Sequence, residues 1–141
     1  MYIVYPQQNN QIAIIFPCGD IDSSIKDVPE GVDYKIINHL NVDNNFYGAY
    51  EFDNVVGIKI NIEKAKTIQI ERFRYYRIPI LEKLDVEFMR AVETADTEAQ
   101  KQISKKKQQL RDVTNTELPN TIETIKATWP EILGRSPFLD K

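Results

Sequence analysis

Val55-Val-Gly-Ile-Lys-Ile-Asn-Ile-Glu-Lys-Ala-Lys-Thr-Ile-Gln-Ile-Glu-Arg-Phe-Arg-Tyr-Tyr-Arg77 is the stretch on which the fold turns. Up to Ile60 it is a short β-branched run of the kind strands are made from. At Asn61 the period changes. Asn61 can cap a helix that opens Ile62-Glu-Lys, with Glu63 in the first turn where the helix dipole favours a carboxylate. From there Ile70, Phe73, Tyr76 or Arg77, Ile80 and Leu84 recur at steps of three and four, an amphipathic stripe. A strand-forming part and a helix-forming part therefore meet near Ile58–Ile62.

Working back toward the N-terminus, Met1–Tyr5 and Ile12–Phe16 are two further strand candidates, separated by a polar turn long enough for a hairpin. Pro17, Gly19, Pro29 and Gly31 bracket a loop containing Cys18-Gly-Asp-Ile-Asp-Ser-Ser24. Val32–Ile37 predicts a third strand, with Val32, Tyr34 and Ile36 on one face. Ala49–Phe52 and Val55–Ile60 predict two more, around an Asp53-Asn54 turn. The economical arrangement is one antiparallel sheet of four or five short strands.

Working forward, Pro79 lacks the N–H that would bond the Tyr75 carbonyl, which predicts a kink or break. Asp85 then reads as a fresh cap for Val86–Thr94, with Phe88, Ala91 and Val92 inward. Thr97-Glu-Ala-Gln100 fits a capping box for a helix to about Val113, whose stripe Ala99, Ile103, Leu110 and Val113 is interrupted by Lys106. A last short helix over Thr121–Thr128 ends before Pro130. The expected fold is α+β: a small acidic antiparallel β domain over 1–60, then a helical hairpin region over 61–141 with a short terminal helix.

The charges divide in the same place. Of 18 basic and 21 acidic residues, the first 57 positions hold two and eight, a net of −6, and the remainder holds 16 and 13, a net of +3. The overall −3 argues against general nucleic-acid binding. One cysteine forms no internal disulfide, and Met1–Tyr5 lacks the basic segment of a signal peptide. No apolar run reaches the roughly 18–20 residues that span a bilayer.

Catalytic and ligand motifs are sparse. Asp20-Ile-Asp22-Ser-Ser24 opens like a calcium loop, but Ile25 stands where glycine is needed and Gly31 where a bidentate glutamate is needed. Cys18 and His39 form a thinkable thiol–imidazole pair, yet a core cysteine and a turn histidine explain them more simply. No phosphate loop or dinucleotide fingerprint is present, and no metal ligand set stands out. Arg72-Phe-Arg-Tyr-Tyr-Arg77 has the composition of a nucleic-acid stacking surface, but on a helix it fans around the axis. Lys105–Lys107 reads as a solvated face. Trp129 is either an anchor for a partner or a lid folded back on Ile122, Ile125 and Leu133, the second reading being preferred.

Several short motifs resemble one family. Asp27-Val-Pro-Glu-Gly-Val-Asp-Tyr-Lys-Ile-Ile37 is similar to segments of small proteins encoded beside phage tail genes. Arg74-x-x-Arg-x-Pro-x-Leu81, Leu84-Asp85, Gln108-Gln-Leu-Arg-Asp112 and Trp129-Pro130 resemble the C-terminal region of bacteriophage tail-assembly chaperones and tail-fibre assembly proteins. The resemblance implies a non-enzymatic protein without cofactor that binds a phage tail or tail-fibre protein, with self-association as a further option. It implies action in the bacterial host cytoplasm during assembly, or retention in the virion as a structural adaptor or decoration subunit. It points to Arg77, Leu110, Arg111 and Trp129 as partner-binding positions. As architecture, Pro79 and Asp85 would set a kink and a cap, Leu81 and Leu110 would pack the hairpin, and Arg111 and Asp112 would latch helices together.

Overall fold

The computed structural model describes residues 1–139, which form an α+β chain with the small antiparallel β part first and the long helices after it. Two compact units divide between Ile68 and Gln69, inside a helix rather than at the strand-to-helix change.

In the first unit, β1 (Tyr2–Pro6) is central. It pairs antiparallel with β2 (Ile12–Ile15) on one side and with β3 (Lys35–Ile37) on the other. Ile3 and Val4 are consecutive, so they point to opposite faces, and both are fully buried. The β1–β2 turn carries Asn9 and Asn10 in the left-handed region, which asparagine tolerates. The Asn10 amide donates to the Phe52 carbonyl at 3.0 Å.

The expected single sheet is instead two. β4 (Tyr50–Asp53) and β5 (Gly57–Ile60) form a separate hairpin, joined to the first sheet's connection by one isolated bridge between Gln11 and Glu51. Gly57 has φ +89°, and a Cβ there would lie 2.7 Å from Ile37 Cγ2, so only glycine allows this approach to β3. The turn spans residues 54–56 rather than Asp53-Asn54, because the Asp53 carboxylate accepts the Val55 and Val56 amides from the strand end. The third strand is also shorter than its alternation suggests. Its ladder ends with Lys35 opposite Val4; Tyr34 lies beyond it and is exposed, and Ile36 stays partly exposed although Ile3, directly opposite, is fully buried.

The bracketed loop contains a helix. Asp20 caps α1 (Ile21–Ile25) by accepting the Asp22 amide, and Ser23 Oγ donates back to the Asp20 carbonyl. This local bonding gives Asp20 and Ser23 structural roles at the start of α1.

α2 (Ile62–Glu93) is one helix of 32 residues. Asn61 caps it as expected, accepting the Lys64 amide. Pro79 does not end it, and Asp85 is not a cap: Pro79 lies on the exposed side, while the turns around it are held by Phe73, Ile80, Leu81 and Leu84 packing inward. Asp85 pairs with Lys107 instead. Lys107, not Lys106, is the cation at the seam, and its ammonium lies 5.6 Å from the centre of the Phe88 ring. Val92, read as inward, is exposed.

In the second unit α2 turns back into α3 (Thr97–Asp112) through a Schellman motif: Asp96 N–H bonds the Ala91 carbonyl and Ala95 N–H the Val92 carbonyl, with Ala95 at φ 54°. Asp96 then caps α3 by accepting the Ala99 amide, one residue before the Thr97 expected for that role. Phe73, Leu84, Leu110, Val113 and Leu133 form the core. α4 (Ile122–Ala127) is too short to persist alone. Buried Gln69 secures its end, donating to the Ile125 and Thr128 carbonyls while accepting from Arg72.

Candidate interaction surface

The four positions implied by resemblance cluster around one end of the helix pair, mostly in architectural roles. The Arg77 guanidinium donates to the Leu110 and Arg111 carbonyls at 3.3 and 3.2 Å, supplying donors and positive charge at the C-terminal end of α3. Leu110 is fully buried and packs the hairpin. The Arg111 side chain is exposed, and Asp112 accepts from Gln108 within α3, so the latch between helices runs through Arg77 rather than the expected Arg111 and Asp112 side chains. Trp129 folds back: its rings lie edge-on to Phe73 and Tyr76 at 5.4 and 5.1 Å, and its N–H donates to the Gly134 carbonyl.

The basic–aromatic run disperses in the same way. Phe73 is core, Tyr76 meets Trp129, Arg72 holds Gln69 and lies over the Phe138 ring, and Arg74 pairs with Glu71. Cys18, expected in the core, is exposed, as is His39. No group of three or more His, Cys, Asp or Glu among the described residues is placed to hold a metal ion.

Three perturbed ionisable groups of the first unit, Glu51, Asp53 and Tyr47, serve its structure. Lys64 hydrogen-bonds Glu51 at 2.8 Å and holds its carboxyl below the usual range, assisted by Asn61. The Val56 and Val55 amides do the same for Asp53. Burial, then the neighbouring Tyr5, raises the Tyr47 phenol, which donates to the Ile12 carbonyl.

One feature of the second unit is not architectural. Tyr75, Ile78, Val86 and Met89 of α2 are 71%, 51%, 52% and 58% exposed. At 3.6 residues per turn they lie about 180° around the axis from Phe73, Ile80 and Leu84. Tyr75, Tyr76, Ile78 and Pro79 line an open apolar depression of about 330 Å³ at one end of this outward stripe. The signal was present in the sequence as a second set of three- and four-residue steps, masked by the stronger inward set and by the expected break at Pro79. No helix among the described residues is long and apolar enough to cross a membrane. No protein-family profile matches the chain, and neither curated proteins nor solved structures give a match.

Proposed function

We propose that this chain is a non-enzymatic binding protein of phage tail assembly, which shields an apolar surface of a tail or tail-fibre polypeptide in the host cytoplasm. The observation that carries the reading is the outward stripe of α2. Apolar side chains exposed singly are ordinary, but four aligned along one side of one helix, two of them lining an open apolar depression, form a face suited to a partner. The resemblance of the Arg74–Leu81 and Gln108–Asp112 segments to tail-assembly chaperones supplies the client class.

Co-expression with the tail-fibre polypeptide of the same phage tests this. The expected result is more soluble trimeric fibre and co-purification of the two chains; no gain and no co-purification contradict it. Mass spectrometry of purified particles then separates a chaperone, absent from the virion, from a permanent adaptor or decoration subunit, present in stoichiometric amount.

A further inference from the structure

We infer that the outward stripe of α2 takes an amphipathic helix from another polypeptide, one that carries lysine or arginine at eleven-residue spacing among its apolar contacts. The inference rests on reading the chain as a binding protein and names the chemistry of its partner.

The spacing along the stripe indicates a helix. Tyr75, Pro79, Glu82, Val86, Met89 and Glu93 follow alternating steps of four and three, the seam that a second helix matches over several turns. From Tyr75 to Met89 this seam runs about 21 Å. The depression beside Tyr75, Ile78 and Pro79 would receive one large apolar anchor.

The carboxylates decide the partner's charge. Glu71, Glu82 and Glu93 stand eleven residues apart, about three turns, and so fall nearly on one line, which is that of the stripe. Glu71 is paired with Arg74. Glu82 and Glu93 have no ion-pair partner within 4.0 Å among the described residues. A wholly apolar partner would bury both without a counter-charge, which is costly. A second copy fares no better, because a twofold contact centred on the stripe sets Glu82 against Glu82, and the basic residue that shares their line, Lys64, is already paired with Glu51. An anionic bilayer is repelled by the same groups. A foreign helix with cations about 16.5 Å apart satisfies both carboxylates and the apolar seam together.

Two designed 21-residue helical peptides provide the probe. Both carry leucine along the seam, and they differ only in lysine or glutamate at two positions eleven apart. Fluorescence anisotropy with the full chain should show the lysine peptide binding at least tenfold tighter, and Glu82→Lys/Glu93→Lys should reverse the preference. Equal binding, binding of neither peptide, a self-association that Val86→Glu abolishes, or Val86→Glu-sensitive binding to phosphatidylglycerol vesicles would each overturn the inference. If the peptides fail while Val86→Glu still abolishes capture of the tail-fibre polypeptide, the binding function stands and the basic-helix partner falls. If charge preference holds but no fibre is captured, the reverse applies.

Discussion

The two apolar stripes of α2 have similar residues and opposite fates. The inward one, with Ile70, Phe73, Ile80 and Leu84, is closed over by Leu110, Val113, Leu133 and Trp129. The outward one, with Tyr75, Ile78, Val86 and Met89, is punctuated by Glu82 and Glu93 and left uncovered. Hydrophobicity alone does not say which side of a helix becomes core. The inward side wins because other elements are tied to it through specific groups: Arg77 on the end of α3 and Gln69 on the end of α4.

That contrast breaks most visibly at Phe73. Phe73→Ala should cost about 3–5 kcal/mol, measured by urea unfolding, since it empties a fully buried site and removes the support under Trp129. A loss below about 1 kcal/mol would mean that the inward stripe is not the core. Arg77→Ala should cost about 1–3 kcal/mol by the same measurement, through two charge-assisted bonds to carbonyls. Ala95→Gly should raise stability by about 0.5–1 kcal/mol, since Ala95 occupies a left-handed position that glycine adopts without strain. Met89→Ser, on the outward stripe, should leave stability within about 0.5 kcal/mol of the parent chain.

A control leaves both stripes intact. Glu51, depressed by Lys64, contributes stability above the ordinary carboxylate range and loses it as pH falls through its lowered value. Lys64→Met should therefore flatten the acid side of the stability–pH curve without altering partner binding; an unchanged acid limb would show the pair to be idle.

How much of this was legible in the sequence depended on how local each signal was. The Asn61 cap, the β1–β2 hairpin, the Phe73–Leu84 stripe and the burial of Leu110 rest on short-range pattern, and they were read correctly. Pro79 and Asp85 misled because local helix rules assign a break that tertiary packing on the opposite face overrides. The division of the strands into two sheets, and the close approach of Gly57 to Ile37, are set by long-range contacts without a local signature. Of the partner-binding positions taken from resemblance, Arg77, Leu110 and Trp129 hold the helix pair together. The outward stripe has the same periodicity, but a break expected at Pro79 divides it between two helices.

The most direct test is retention of co-expressed tail-fibre polypeptide by tagged Val86→Glu relative to the parent chain, with the unfolding midpoint of each recorded alongside. Val86 is exposed and glutamate is a good helix former, so the fold should be kept. A loss of at least tenfold in retained fibre at an unchanged midpoint is the expected result. Equal retention would contradict the assignment of the outward stripe as the binding face.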